Sequence, residues 1–180
     1  MKVIAICGLP GSGKTTAIKA IEDLGIVVSM GDVVRNEARK MHLEPSGFII
    51  GEIAKELREK GGPAIIAEKC VELIKNLDTE VVFVDGVRSF YEVNVFREFW
   101  KFPIVAIITD EQKRINRLFE RGRSDDPKHI EELKERDKRE REFGQEEVLE
   151  KANYTILNNS TIDALKKNSR KIIIEIINNY

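Results

Sequence analysis

Residues 8–15 read Gly-Leu-Pro-Gly-Ser-Gly-Lys-Thr, which has the spacing G-x-x-x-x-G-K-[ST]. An apolar run at 3–7 precedes them, so we expect a strand that turns through a glycine loop into a helix near Lys14. Glycines leave backbone N–H groups free to close around phosphate oxygens, and a helix N-terminus adds partial positive charge there. The pattern therefore predicts a P-loop, which binds the phosphates of a nucleotide.

Two side chains of this loop are expected to act on the nucleotide directly. Lys14 is expected to reach the β- and γ-phosphates of ATP, and the Thr15 hydroxyl is expected to hold Mg²⁺. The residues of the loop and first helical turn that we assign to ATP binding are Gly8, Leu9, Pro10, Gly11, Ser12, Gly13, Lys14, Thr15 and Thr16.

Asp85 follows directly on a second apolar run, Val-Val-Phe-Val at 81–84. An acidic residue at the carboxyl end of a strand that follows a P-loop is typical of a Walker-B aspartate, which holds Mg²⁺ beside the P-loop hydroxyl. The alternative is that Asp85 only caps the next helix. The sequence thus predicts Thr15 and Asp85 as the metal ligands.

Two arginines lie just beyond the ends of predicted strands, each three residues after an aspartate. Arg35 follows Asp32, and Arg88 follows Asp85. Ligands bind at the carboxyl ends of strands in open α/β sheets, and arginines there can hold a phosphate with paired hydrogen bonds. The alternative is that both are surface arginines paired with nearby glutamates. Spacing alone does not separate these interpretations.

A third group of cations follows the fourth predicted strand. Arg117 and Arg121 are four residues apart, so they share one face of a helix, and Arg123 follows closely. Phosphoryl transfer spreads negative charge over the migrating group and is stabilised by cations. We therefore favour a functional role for these three, and expect the charged stretch 131–142 to be a solvated helix.

Short, continuous apolar runs alternate with helical patterns, which predicts a three-layer α/β domain with parallel strands covered on both faces. The predicted strands are 3–7, 26–29, 81–84, 104–108 and 154–157. The predicted helices are 14–24, 33–42, 48–60, 64–76, 89–100, 111–121, 127–142 and 161–177.

Composition narrows the class of protein further. The chain has 180 residues, which suits one domain, and a net charge of −1, which favours neither nucleic acid nor a membrane surface as partner. Cys7 and Cys70 are far apart and are expected to be core thiols of a cytoplasmic protein. His42 and His129 stand alone, so we expect no metal site built on histidine.

Over essentially its whole length the chain resembles the nucleoside monophosphate kinases, the adenylate-kinase-like branch of the P-loop kinases. It also resembles a group of archaeal adenylate-kinase-related proteins, and its last strand is similar to that of dephospho-coenzyme A kinases. The segments that carry the resemblance are Ser-Met-Gly-Asp-Val-Val-Arg at 29–35, Lys-Glu-Leu-Arg-Glu-Lys-Gly-Gly-Pro at 55–63, Asp-Gly-Val-Arg at 85–88, Arg-Ser-Asp-Asp at 123–126 and Ala-Asn-Tyr-Thr-Ile-Leu-Asn-Asn at 152–159.

The resemblance implies a five-stranded parallel sheet in the order 2-3-1-4-5. It implies a core formed by 1–29, 77–116 and 145–180, a helical acceptor-binding insertion at 30–76, and a short lid and arm at 117–144. Asn158 is expected to flank the base of ATP. The residues expected at the acceptor are Gly31, Asp32, Arg35, Asp85, Gly86, Arg88 and Glu92.

The chain also departs from that family. The long lid and its zinc cysteines are missing, and Met30 stands where a threonine usually faces the acceptor. Glu92 stands where adenylate kinases carry a glutamine that reads adenine. A carboxylate only accepts hydrogen bonds, which suits the two adjacent donors of guanine. The alternative is that Glu92 makes no contact with the base. The sequence therefore does not identify the base of the acceptor.

These observations predict a phosphotransferase, acting as a monomer or homodimer, that moves the γ-phosphoryl group of Mg-ATP to a small phosphorylated acceptor. A nucleoside monophosphate is the favoured acceptor, and Lys14, Arg88, Arg117, Arg121 and Arg123 would stabilise the transferred charge. A first alternative is a dephospho-coenzyme A kinase, in which Asp32 would be the base. A second alternative is a regulatory nucleotide-binding ATPase without a small acceptor.

Overall fold

Five parallel strands form the centre of the molecule in the order β2-β3-β1-β4-β5, which confirms the expected 2-3-1-4-5 sheet. The structure is a computed structural model and describes residues 1–44, 47–121 and 129–180. The strands are β1 (Lys2–Cys7), β2 (Ile26–Ser29), β3 (Val81–Asp85), β4 (Ile104–Ile108) and β5 (Tyr154–Leu157).

Across residues 1–44, 47–121 and 129–180, helices lie between the strands as the sequence predicts, with one more than expected. They are α1 (Lys14–Lys19), α2 (Met30–Lys40), α3 (Gly47–Gly61), α4 (Ile65–Lys75), α5 (Phe90–Arg97), α6 (Glu111–Arg121), α7 (Ile130–Glu142), α8 (Gln145–Glu150) and α9 (Ile162–Asn179). In the described part of the chain, no helix combines the length and the apolar character that crossing a membrane requires.

The sheet is buried on both faces because β1 alternates its side chains between two apolar cores. Val3, Ala5 and Cys7 pack with residues of α2, α3, α4 and α5 on one face. Ile4 and Ile6 pack with residues of α1 and α9 on the other. An apolar run without alternation is therefore what this position in the sheet requires.

Both cysteines are core thiols, as the sequence predicts. Cys7 and Cys70 are fully buried and free. Burial raises the pKa of each thiol to about 12, so neither is a reactive thiolate at neutral pH.

Helix α2 begins earlier than the predicted residue 33, directly after β2. Ser29, in an extended conformation, is the N-cap residue, and Met30 already belongs to the helix. The reason is that Met30 is buried in the core beside Val33 and Val34, and packing sets the start of the helix. This start places Gly31 and Arg35 at the carboxyl edge of the sheet.

Helix α8 is the element that the sequence did not predict. Its six residues include three glutamates, so no apolar periodicity marks it. It follows Gly144, whose φ of 97° ends the preceding helix and allows a sharp turn. Val148 is the fully buried residue that fixes α8 to the core.

Helix α7 is not the solvated helix that its charge suggested. Leu133, Asp137 and Glu140 are buried along one face. Asp137 pairs with Arg114 of α6, and both side chains are more than nine-tenths buried. The helix is therefore fixed to the body of the protein by a buried ion pair.

Candidate active site

A cavity of about 480 Å³ lies at the carboxyl edge of the sheet, where the P-loop between β1 and α1 meets the end of β3. Most of the residues that the sequence assigned to a site line it. Those of the donor set are Gly8, Pro10, Gly11, Ser12, Gly13, Lys14, Thr15, Thr16 and Asn158. Those of the acceptor and cationic sets are Gly31, Arg35, Asp85, Gly86, Arg88, Arg117 and Arg121.

Glycine is required in the loop because other parts of the chain approach its backbone closely. Gly11 has a φ of 78°, and a Cβ there would lie 2.7 Å from the carbonyl oxygen of Arg114. Gly13 has a φ of 104°, and a Cβ there would collide with the Asn158 side-chain amide. These two glycines therefore let α6 and the segment after β5 support the loop from outside.

Hydrogen bonds from those neighbours hold the loop in place. The carbonyl oxygen of Ser12 accepts from Thr109 Oγ1 and from Asn158 Nδ2, both at 2.8 Å. The carbonyl oxygen of Pro10 accepts from Arg114 at 2.6 Å. The loop amides are thereby preorganised for an anion before it binds. Asn158 acts here on the loop backbone.

Lys14 is half-buried at the cavity and bound to its own loop. Its Nζ donates to the carbonyl oxygen of Gly8 at 2.6 Å. Burial lowers the pKa of Lys14, and the negative charges of Asp85 and Glu140 act in the opposite direction. The ammonium group thus stands among acceptors and carboxylates where a phosphate is expected.

Asp85 offers a carboxylate oxygen that fits a magnesium ligand. Its Oδ1 is buried and has no hydrogen-bond partner within the described ranges. Burial raises the pKa of Asp85, and the positive charges of Lys14 and Arg88 partly oppose that shift. Asp85 and Thr15 line the same cavity, and an unsatisfied hard oxygen on Asp85 suits Mg²⁺, which prefers such ligands.

Arg35 and Arg88 line the cavity together with the P-loop, and each already has an acidic neighbour. Arg35 donates to Asp32 Oδ1 at 2.5 Å, and both side chains are substantially exposed. Arg88 Nε lies 3.0 Å from Glu140 Oε2. Asp32 itself, like Leu9, lies outside the cavity lining.

The structure places Glu92 away from the base-reading position that the sequence suggested. Its side chain is fully buried and does not line the cavity. One carboxylate oxygen accepts from Arg58 at 2.8 Å, and the other accepts from the backbone N–H of Arg88 at 2.7 Å. Glu92 therefore supports the Arg88 loop from beneath, because both oxygens are occupied by the protein itself.

Both arginines that share a face of α6, Arg117 and Arg121, reach the cavity. Arg117 donates to Thr109 Oγ1 at 3.4 Å and to the Asn158 carbonyl oxygen at 3.3 Å, and its side chain lines the cavity. Arg121 also lines the cavity. Arg123, and with it the segment 123–126, lies outside the described residues.

Three lining residues come from α7 and α8, where the sequence predicted no site: Arg136, Glu140 and Gln145. Gln145 is buried, donates to the Gly8 carbonyl oxygen at 3.4 Å, and leaves its Oε1 without a partner in the described part of the chain. A glycine at 144, after a charged helix, is the one local signal near Gln145, and no local signal marks Arg136 or Glu140.

The arrangement brings together an anion-binding loop, one carboxylate suited to a metal, and cations from several elements that line one cavity. Lys14 lies at the loop, Arg117 and Arg121 lie on α6, Arg35 lies on α2, and Arg88 lies in the segment after β3. Such a site can bind a polyphosphate and stabilise charge on a phosphoryl group during transfer.

Solved structures share this fold at low sequence identity. Shikimate kinase from Acinetobacter baumannii superposes with a TM-score of 0.54 and 18% identity, covering 99% of this chain and 94% of that chain. At this identity the similarity establishes the P-loop kinase fold.

Sequence relatives establish the family. A UPF0200 protein of Methanosarcina mazei is 40% identical over 176 residues, which cover 96% of this chain and 94% of that protein. A UPF0200/UPF0201 protein of Archaeoglobus fulgidus is 42% identical and matches 99% of this chain, which spans 57% of that protein's length. Residues 7–134 also match the family model of the AAA domain. The chain therefore belongs to the UPF0200 family of P-loop proteins.

Proposed function

We propose that this protein is a cytoplasmic phosphotransferase that moves the γ-phosphoryl group of Mg-ATP to a small phosphorylated acceptor, a nucleoside monophosphate. The P-loop kinase fold and the family match support phosphoryl transfer in general. The finer assignment rests on the residues of the cavity. A reducing compartment suits the free thiols of Cys7 and Cys70.

The observation that carries the proposal is that two arginines share one cavity with the P-loop lysine. Arg35 and Arg88 line the same cavity as Lys14. One nucleotide already has the loop amides and Lys14 for its phosphates, so a site for ATP alone has no need of further cations there. Paired arginines at that place suit a second phosphate, aligned with the γ-phosphate for direct attack.

The residues of the chain then supply positioning and charge. An oxygen of the acceptor phosphate attacks the γ-phosphorus, and the bond from that phosphorus to the β-phosphate oxygen breaks. The attacking oxygen is already ionised, so no general base is needed. Lys14, Arg117 and Arg121 would offset the charge on the migrating group, with Arg123 as a further candidate. Thr15 and Asp85 would hold Mg²⁺, which supplies charge neutralisation on the β- and γ-phosphates.

The dephospho-coenzyme A alternative has less support from the geometry. Its acceptor reacts through a hydroxyl group and needs a base, for which Asp32 was the sequence candidate. Asp32 is exposed, paired with Arg35 and outside the cavity lining. We therefore keep that acceptor as one arm of the test.

The test is a panel of acceptors with Arg→Ala variants. The purified protein with Mg-ATP is given AMP, GMP, CMP, UMP or dephospho-coenzyme A, and formation of ADP and phosphorylated product is measured. We expect at least one monophosphate to be phosphorylated, and Arg88→Ala or Arg35→Ala to raise its KM by about tenfold or more. Arg39→Ala is the matched control, because Arg39 is exposed on α2 outside the cavity. Slow ATP hydrolysis unaltered by every acceptor would favour the regulatory ATPase instead.

A further inference from the structure

An acidic side chain stands in the part of the cavity where the proposal needs a phosphate. Glu140 of α7 lines the cavity, and its Oε2 lies 3.0 Å from Nε of Arg88. The Glu140 side chain is only 8% exposed, so its charge is largely removed from water. Its neighbours in the cavity also include Lys14, on which the Glu140 charge acts. The Glu140 carboxylate thus pairs with Arg88, the arginine proposed to bind the acceptor phosphate.

The contact between Glu140 and Arg88 is electrostatic and incompletely satisfied. Glu140 Oε2 receives no hydrogen bond from any residue that the structure describes. The Arg88 side chain is 28% exposed and Arg88 lines the cavity, so Glu140 does not cover it fully. A phosphate has more charge and more acceptor oxygens than a carboxylate, and it can form the paired hydrogen bonds that this contact lacks. The ion pair is therefore one that a phosphate can replace.

Glu140 is held in this position by its helix. Asp137 lies one turn earlier on the same face of α7 and pairs with Arg114. Arg114 also donates to the Pro10 carbonyl oxygen of the P-loop at 2.6 Å. The backbone of α7 is therefore fixed to the nucleotide-binding loop, and Glu140 is directed at Arg88 by a buried anchor.

A phosphate that binds Arg88 must compete with this fixed negative charge. Like charges at such short range in a partly buried site repel strongly. Water or an uncharged hydroxyl compound offers Arg88 nothing that outweighs the Glu140 carboxylate. An acceptor with a doubly charged phosphate can displace the carboxylate, because Arg88 forms stronger electrostatic and hydrogen-bonding interactions with the phosphate than with Glu140.

We propose that Glu140 is a specificity-determining residue that occupies Arg88 in place of the acceptor phosphate and is displaced by it. This inference rests on the proposed function, in which Arg88 binds the acceptor. Its consequence is that Arg88 becomes available for transfer only when a phosphorylated acceptor is present. Without an acceptor, hydrolysis of ATP by transfer of its γ-phosphoryl group to water is then slow.

The first test measures inorganic phosphate, so that it does not depend on knowing the acceptor. Protein saturated with Mg²⁺ and the non-hydrolysable analogue AMPPNP is titrated with phosphate by calorimetry. We expect Glu140→Gln to bind phosphate about tenfold tighter than the natural protein, which corresponds to ~1.4 kcal/mol. Glu135→Gln is the matched control, because Glu135 is exposed on the same helix and outside the cavity lining. It should leave phosphate binding unchanged.

A double-mutant cycle then assigns the effect to the Arg88 contact. In an Arg88→Ala background, Glu140→Gln should change phosphate binding by less than about twofold. Glu140→Ala is the second variant, and thermal unfolding of all variants shows whether the fold is kept. Equal phosphate affinity in the natural protein and both Glu140 variants would overturn the inference, as would an undiminished effect in the Arg88→Ala background.

Enzyme turnover is an independent measurement that distinguishes two roles of Glu140. One role is to block Arg88, and the other is to act as a general base, and the two predict opposite changes in the Glu140→Gln variant. If Glu140 blocks Arg88, Glu140→Gln raises ATP hydrolysis without acceptor and lowers the KM of the monophosphate. If Glu140 instead takes a proton from a hydroxyl acceptor, the same variant lowers kcat and leaves phosphate binding unchanged, which contradicts the inference. Should no monophosphate be phosphorylated, the proposed function fails, while the phosphate titration still decides the role of Glu140.

Discussion

The Nζ atom of Lys14 donates a hydrogen bond to the carbonyl oxygen of Gly8 at 2.6 Å, so the P-loop lysine is held by the first residue of its own loop. Gln145 Nε2 lies 3.4 Å from the same oxygen as a second donor. The Gly8 carbonyl therefore keeps a partner when Lys14 turns toward a phosphate. This arrangement reduces the penalty of releasing the lysine, since a buried carbonyl is not left unsatisfied.

Lys14→Met is expected to separate stability from activity. Burial lowers the pKa of Lys14 from its ordinary value of 10.5, so the unfolded chain holds this proton more strongly than the folded protein. The Lys14 charge thus costs stability at pH 7, and this cost disappears as the pH rises through the folded pKa toward 10.5. We expect the variant to unfold at a higher temperature at pH 7 while phosphoryl transfer falls about 100-fold or more. Lys166→Met, at an exposed position of α9, should change neither.

Asp85→Asn is expected to stabilise the nucleotide-free protein and to raise the Mg²⁺ concentration that ATP turnover requires, because one of the two proposed metal ligands loses its charge. Burial raises the pKa of Asp85, so the folded protein retains this proton to higher pH than the unfolded chain does. Ionised Asp85 therefore lowers stability increasingly as the pH rises from about 4 through the folded pKa. The variant should unfold at a temperature a few degrees higher at pH 7 and unchanged below pH 4. Magnesium titration of ATP turnover provides the second measurement, and Asp78→Asn, at an exposed position, is the control.

The P-loop and the sheet could be predicted because their signals are local. The loop motif is continuous in sequence, and β1 and β3 are apolar runs because both faces of the sheet are covered. Asp85 was found for the same reason, since it ends one of those runs. Strand order could not be read from these patterns and came from the resemblance.

The contribution of α7 and α8 to the site could not be predicted, because the burial of charged residues depends on their tertiary partners. Asp137 and Glu140 look like their solvated neighbours in the sequence, yet Arg114 and Arg88 bury them. Gln145 lies in a helix of six residues, too short to show a period. A pattern of side-chain types carries no information on which face of a charged helix is covered.

The buried pair of Arg114 and Asp137 is expected to serve the P-loop as well as the fold. Arg114→Met leaves the Asp137 carboxylate buried and unpaired, and should lower the free energy of unfolding by about 3–5 kcal/mol. The double variant Arg114→Met with Asp137→Leu should recover most of that loss. It should not recover ATP affinity, because the Pro10 carbonyl oxygen still lacks its donor.

Urea denaturation and nucleotide titration of these variants provide the measurements. Lys138→Met is the control, since its partner Glu142 lies 3.9 Å away and both side chains are exposed. Exposed pairs of this kind contribute about 0.5 kcal/mol or less. If the double variant regained full ATP affinity, Arg114 would have only a structural role.

Glu92→Gln tests whether this residue reads a base or supports Arg88. The carboxylate accepts from Arg58 and from the Arg88 backbone N–H, so an amide in its place turns its NH₂ group toward one of these donors. We expect the free energy of unfolding to fall by about 3 kcal/mol, because a buried charged pair is broken. The KM should rise for all monophosphates in similar proportion, because the Arg88 loop loses its support. If the variant instead changed the preference between AMP and GMP at unchanged stability, the result would support a role of Glu92 in reading the acceptor base.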